Sequence, residues 1–258
     1  MPIRCSVCFV PEKPISPEVL KPKYVHGIFF SLLEEGLAER MHRGRVKPFA
    51  LRFQRLMRAE EELDRFFLEV SFLQEELFPS FLSSLILRES QPTINGLSLR
   101  YLKKPYIKEE NVKSYSRIYE EAQPRDTIVL DFLTPTSFKR GSFDYPLPEP
   151  RLIFRGLIRK WQIFSDLKID LDLREVVDNH IHIAGAWIRT RKMELSDRAK
   201  FTGFTGRVVL YADVRKEAVL KWLNALAAFG EFAGVGRKTT MGFGAVRVGE
   251  PEPDEVSE

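Results

Sequence analysis

The chain has 258 residues, 44% of them hydrophobic and 29% charged. That is the composition of a globular protein with one large domain or two of roughly 120 residues each. No apolar run approaches the ~18 residues of a membrane span, and MPIRCSVCFV does not read as a signal peptide, so no membrane is involved and a cytoplasmic location is expected. The formal net charge is +4, but the last ten residues, GEPEPDEVSE, hold five acids and no base, and without those acids the body stands at +9. A basic body favours a polyanionic partner, and the Pro- and acid-rich tail reads as disordered.

IRCSVCFV at the start alternates as a strand, with Ile3, Cys5, Val7 and Phe9 on one face. Cys8 falls on the other face, so C-x-x-C is split and reads as two strand residues rather than a metal or redox pair. From Pro22 to about Arg40, Val25, Ile28, Phe29, Leu32, Leu33 and Leu37 recur at helical spacing. PFALRFQRL and RFFLEVSFL are strands, and EELFPSFLSSLIL is a helix with a breaker at Pro79. TINGLSLRYLKKPYI is a strand with a glycine interruption, and KEENVKSYSRIYEEAQPRD is a polar connection.

The order then repeats. TIVLDFLTPTSF begins as a strand, and PRLIFRGLIRKWQIFSDL is an amphipathic helix with Ile153, Phe154, Leu157, Ile158, Trp161 and Phe164 as its apolar stripe. VVDNHIHIAGAWIRTRKMEL and FTGFTGRVVLYADV are strands, RKEAVLKWLNALAAFGEFA is a second helix, and TTMGFGAVRV is the last strand. The fold class is therefore α+β. It is read as two tandem ferredoxin-like (RRM-like) βαββαβ domains, residues 1–123 and 124–248, with an RNA-binding cleft between them and a disordered tail at 249–258.

Phosphotransfer and hydrolase motifs such as H-E-x-x-H, G-x-x-x-x-G-K-[ST] and G-x-S-x-G are absent. As a strand, DNHIHI would align Asp178, His180 and His182 on one face, a set that could ligate a metal. The reading preferred here is a solvated face with Ile181 and Ile183 buried, and no metal or cofactor is expected. His42 follows the first helix in AERMHRGRVKPF, beside Arg43, Arg45 and Lys47. An imidazole among phosphate-seeking cations suits acid–base work on a phosphodiester, although a surface histidine in a charged loop has the same local sequence. Arg151, Arg155 and Arg159 are spaced by four on the helix face opposite the apolar stripe. Arg189 and Arg191 alternate with Trp187 on one strand face, as suits phosphates and a stacked base.

Four segments carry a resemblance. YVHGIFFSLLEEGLAERMHRGRVKPFALRF, LDFLTPTSFKRG with PLPEPRLIFRGLIRKWQIF, FTGFTG and GVGRKTTMGFGAV resemble, in order, the CRISPR-associated endoribonucleases that cut repeat RNA, the Cas six family of the RAMP superfamily. The resemblance implies a metal-independent cut in each repeat of a CRISPR precursor transcript, by 2′-hydroxyl attack that leaves a 2′,3′-cyclic phosphate and a 5′-hydroxyl. It implies CRISPR repeat RNA as partner, delivery of the mature guide RNA to an interference complex, and either a monomer or a homodimer. His42 matches the family's histidine after the first helix. Lys47 is assigned to transition-state charge with Arg45 as a rival, His26 of the family-like HG pair is the second proton-transfer candidate, and Tyr24 an orienting group or proton donor. Had the chain run as one helix, sixteen residues would put His26 and His42 on nearly opposite faces, so they meet only if the chain turns before His42, with Gly44 nearby to allow a turn. Arg43, Lys139 and Arg140 join the RNA-binding set. In the glycine-rich segment Arg237 and Lys238 supply phosphate charge, and Gly234, Gly236, Gly242 and Gly244 either admit RNA or close the second domain. A non-catalytic RNA-binding subunit of a CRISPR complex is the alternative.

Overall fold

The computed structural model describes residues 1–53, 61–197 and 199–251. It separates into two compact units. One comprises Met1–Val112 with Met193–Phe201 and Thr240–Gly242, and the other Lys113–Lys192, Thr202–Thr239 and Phe243–Glu258.

The first unit starts with β1 (Ile3–Pro11), whose alternate residues are buried as the pattern requires. Then come α1 (Pro22–Ser31), α2 (Glu35–His42), β2 (Phe49–Phe53), β3 (Phe66–Phe72), α3 (Leu77–Leu87), β4 (Thr93–Ile94) and β5 (Leu97–Tyr101). The strands lie in the order β2-β3-β1-β5-β4. β1 runs antiparallel to β3 from Ile3↔Phe72 to Phe9↔Phe66. Placing the first and third strands centrally is the ferredoxin-like arrangement, here extended by β4.

The second unit holds α4 (Tyr115–Glu121), β6 (Thr127–Thr136), β7 (Phe138–Arg140), β8 (Phe143–Tyr145), α5 (Pro150–Phe164), α6 (Leu173–Asn179), β10 (Ala199–Ala212) from Thr202 on, α7 (Glu217–Ala233), β11 (Val246–Gly249), and β9 (Ile181–Ser196) up to Lys192. Its sheet runs β11-β6-β10-β9, the same order again, with β7 and β8 as an added hairpin. Trp161 of α5 is fully buried. Its ring meets Tyr115, Trp222 and Phe229 edge-on at 5.0, 5.5 and 5.2 Å, and its indole N–H donates to Leu167 O at 2.7 Å. The expected pair of ferredoxin-like folds is what the chain forms. No helix among the described residues is long and apolar enough to cross a membrane.

Seven local expectations need correction. The single helix from Pro22 to Arg40 is two, because the chain turns at Leu32–Glu34. Leu32 and Leu33 are both buried there. Glu34 takes an extended backbone and gives its N–H to Ser84 Oγ of α3 at 3.3 Å. The glycine interruption in TINGLSLRY is a hairpin turn between β4 and β5. Asn95 and Gly96 both have positive φ, +48° and +79°, as the tightest hairpin loops demand. The polar connection contains α4, capped by Ser114 Oγ accepting from Arg117 N at 3.0 Å and anchored by buried Tyr115 and Ile118. DNHIHI is not all strand. Asp178 lies in the last turn of α6 and His180 caps it, so the aligned Asp–His–His face does not form, and Ile183 is exposed while Ile181 is buried. The last strand is only Val246–Gly249, preceded by a 3-10 turn at Thr239–Met241. Pro79, expected to break its helix, falls in the first turn of α3, where the missing N–H would have had no helical partner. The tail expected to be disordered begins with Gly249 in β11 and Glu250 paired with Arg125 at 2.8 Å, while residues 252–258 lie outside the described residues.

Candidate active site and nucleic-acid interface

The turn at Leu32–Glu34 does what Gly44 was expected to do: it folds α2 back so that the two N-terminal histidines meet. Their ring centroids are 6.4 Å apart and nearly perpendicular. Phe30, one turn after His26 on α1, lies against both. It stacks on His42 at 4.1 Å and meets His26 at 4.7 Å. His26 is half-buried and His42 exposed. His26 Nδ1 lies 2.8 Å from Thr240 O. A carbonyl only accepts, so Nδ1 carries the hydrogen and Nε2 is the nitrogen that exchanges a proton.

Lys47 folds back and gives Nζ to His42 O, at the open end of α2. Arg43 pairs with Glu39 at 3.2 Å. Arg45 is exposed and makes no ion pair among the described residues. Tyr24 is elsewhere. Two residues from His26, it points from the opposite side of α1, and its hydroxyl donates to Asp197 Oδ2 at 2.5 Å. Asp197 also takes Lys21 Nζ at 2.6 Å. These bonds hold the Asp197 carboxyl below its ordinary pKa, Lys21 contributing most, and raise that of Tyr24. The structure thus brings together His26, His42 and Lys47, and leaves Tyr24 apart.

In the second unit the glycines serve the chain's own packing. Gly234 ends α7 with φ +64°, Gly236 has φ +80° and Gly244 φ +71°. A Cβ on Gly236 would come within 2.5 Å of Ser137 O, and one on Gly244 would overlap the Val235 carbonyl oxygen. The close approach is secured by Val235 N donating to Gly244 O at 2.8 Å and Arg237 N to Ser137 O at 3.0 Å. Lys160, unnoticed in the sequence, gives Nζ to Ala233 O at 2.5 Å and Gly234 O at 3.0 Å, and burial pushes its amine down to about 7. Gly242, counted with the first unit, also has positive φ, +89°. Arg237 is paired with Asp144, which also faces Lys139 at 3.8 Å. Lys238 is half-buried with φ +60°, and its amine is held below the ordinary lysine range by burial, then by Arg237 and Lys139.

The remaining cations divide. Arg140 pairs with Glu149 and covers the Tyr145 ring at 4.3 Å, Arg151 pairs with Glu149 at 3.0 Å, and Arg155 with Asp178. Arg159, Arg189 and Arg191 are exposed and have no ion pair among the described residues. Trp187 is 60% exposed on β9. Its indole lies across Gly185, two positions earlier on the same face, where a Cβ would come within 2.7 Å of the ring. The strand thus presents a flat exposed indole with two arginines beside it, a combination whose chemistry suits a stacked base and a phosphate.

Sequence reasoning missed Phe30, Thr240, Asp197 and Lys160. Phe30 was the recoverable one, since i and i+4 on a helix are neighbours.

The two ferredoxin-like folds thus carry an imidazole pair near the N-terminus and an exposed indole followed by two arginines on β9. The family model for CRISPR-associated endoribonuclease Cas6 matches residues 130–246. Streptococcus thermophilus Cas6 is 22% identical over 227 residues, 87% of this chain and 90% of that protein. Mycobacterium tuberculosis Cas6 is 28% identical over 151 residues, 58% of this chain but 47% of that protein, so the chain spans about half the length of that relative. Among solved structures, a Cas6 product complex aligns with a TM-score of 0.81 at 29% identity, covering 96% of this chain and 100% of that one. Thermus thermophilus Cas6 aligns with a TM-score of 0.75 at 29% identity, covering 96% and 98%. The chain is thus similar to CRISPR-associated Cas6 endoribonucleases, to the family model over residues 130–246 and to solved Cas6 structures over nearly all of its length.

Proposed function

We propose that the chain is an endoribonuclease that cuts CRISPR repeat RNA in precursor transcripts, in the cytoplasm, to release mature guide RNAs for an interference complex. The observation that carries this reading is the meeting of His26 and His42 beside Lys47 and Arg45 in a chain similar to Cas6 endoribonucleases.

The chemistry follows from the groups present. Cleavage needs a base for the 2′-hydroxyl, an acid for the departing 5′ oxygen, and positive charge at the non-bridging oxygens. A phosphate between two imidazoles 6.4 Å apart puts both oxygens within reach of one ring or the other. His26, its Nδ1–H held by Thr240 O, offers Nε2 to take the 2′ proton. His42, exposed at the end of α2, gives a proton to the leaving oxygen. The 2′ oxygen bonds to phosphorus as the P–O5′ bond breaks, leaving a 2′,3′-cyclic phosphate and a 5′-hydroxyl. Arg45 and Lys47 supply charge, Lys47 by moving off His42 O. The imidazoles move the protons and the cations meet the charge, so the scheme runs without a metal ion. Trp187, Arg189 and Arg191 hold the strand.

The test is end-labelled repeat RNA from the host's array, incubated in EDTA with the native protein, with His42→Ala, and with an RNA carrying one 2′-deoxy at the cut. A single cut that survives EDTA and is lost in both controls supports the reading. Tight binding without a cut by the native protein would leave an RNA-binding subunit, and cutting abolished by EDTA would overturn the mechanism.

A further inference from the structure

A cavity of about 580 Å³ opens on the side of α1 away from the imidazole pair, between that helix and the segment Arg88–Asn95. Lys23, Gly27 and Ser31 line it at spacings of four, while His26 and Phe30 belong to another stripe of the helix. The volume lies in the range of small-ligand sites.

Its polar lining is largely uncommitted within the protein. Among the described residues neither the Lys23 ammonium nor the Asn95 side-chain amide makes a hydrogen bond or ion pair. Among the described residues Arg88 uses only Nε, on Ser90 O at 3.1 Å. Among the same residues Gln91 uses only its oxygen, accepting from Ser98 Oγ at 2.8 Å. Buried Ile28, Pro92 and Ile94 add apolar wall. Tyr24 adds an aromatic side, and its bond to Asp197 fixes where that side stands.

Gly27 leaves open space where α1 lines the cavity. It sits within α1 with no need of a positive φ, and a Cβ there would meet nothing within 4 Å. Glycine inside a helix costs roughly 0.5–1 kcal/mol against alanine, so its effect here is the space it leaves.

Two cations suit a phosphate, two amides can read the edge of a base, and an aromatic wall beside them suits its face. We propose that this cavity binds one phosphate-bearing nucleotide. That unit is either an unpaired nucleotide of the bound RNA, in which case the inference rests on the RNA reading above, or a free mononucleotide.

The experiment compares native protein with Gly27→Leu, which fills the space, and Lys23→Gln, which removes one charge. Two ligands are titrated: repeat RNA with a 2′-deoxy at the cut, followed by anisotropy, and each of the four nucleoside 5′-monophosphates, followed by calorimetry. Lys23→Gln, by loss of a charge-assisted contact, is expected to weaken binding about tenfold, and Gly27→Leu, by occupying the site, at least as much. Weakening of the RNA alone assigns the strand, and weakening of a mononucleotide alone assigns the free ligand. RNA affinity unchanged within about twofold in both variants, with no mononucleotide bound by native protein, overturns the proposal. Should Gly27→Leu melt well below the native protein, Lys23→Gln decides by itself. The readout is binding, so a native protein that fails to cut RNA would overturn the nuclease reading and leave this comparison intact.

Discussion

Gly244→Ala tests the claim that the glycine-rich segment is built for close backbone packing. At φ +71° an L side chain costs about 1–2 kcal/mol. The new Cβ would also overlap the Val235 carbonyl oxygen, which is backbone and cannot swing aside. Relief requires the two strands of the loop to part, which breaks Val235 N–Gly244 O at 2.8 Å and weakens Gly244 N–Pro135 O at 3.2 Å. Leaving buried groups such as these unpaired costs about 1–3 kcal/mol each. Together the loss is expected at about 3–5 kcal/mol. Trp161, Trp187 and Trp222 all lie in the second unit, so urea unfolding followed by tryptophan fluorescence reports on that unit. Gly27→Ala is the contrast, since its helix position is unstrained and open, and far-ultraviolet circular dichroism should show a small gain of up to about 1 kcal/mol. A Gly244→Ala protein that loses less than about 1 kcal/mol would refute the packing argument.

His26→Ala is expected to lower the single-turnover cleavage rate about a hundred- to ten-thousandfold and to remove one limb of the pH–rate profile, with RNA affinity changed much less; a bell-shaped profile retained in that variant would exclude His26 from proton transfer. Trp187→Ala is expected to weaken repeat RNA by about five- to a hundredfold, measured by anisotropy, through loss of one stacked base. Arg191→Ala should lower the salt slope of binding by about 0.7, as loss of one phosphate contact to a single strand predicts, and an unchanged slope would remove Arg191 from the interface. Lys160 carries a pH prediction. Its amine titrates near 7 when folded and near 10.4 when unfolded, so between those values the unfolded state binds the extra proton and stability rises with pH. Lys160→Met should flatten that rise, and an equally steep curve in both proteins would show that the amine is not desolvated.

The order of elements was legible from one-dimensional signals. Alternation in IRCSVCFV and the four-residue recurrence of Ile153, Leu157 and Trp161 are local consequences of strand and helix geometry. They determined the two ferredoxin-like folds and the histidine–cation loop. Where the reading slipped, the cause was usually nonlocal. Leu32 and Leu33 continue a helical pattern, but Ser84 in α3, fifty residues away, takes the Glu34 N–H and ends α1. KEENVKSYSRIYEEAQPRD looks polar because only Tyr115 and Ile118 are buried, and Tyr115 meets a tryptophan in another helix. The Asn-Gly turn in TINGLSL, by contrast, was a local signal left unread.

The sequence by itself determined that two phosphate-compatible imidazoles stand near the N-terminus, and that glycines and cations are concentrated near the other end. Only the tertiary structure decided that His26 and His42 face each other across Phe30, that Thr240 sets the tautomer of His26, and that Tyr24 belongs to Asp197 instead. The reason is that covalent neighbours constrain torsion angles, whereas a side chain's partner is chosen by where distant segments are packed. The same holds for the glycines. Their number was plain in the sequence, but whether their open space receives a ligand or the chain's own carbonyls depended on Ser137 and Val235 being there to fill it.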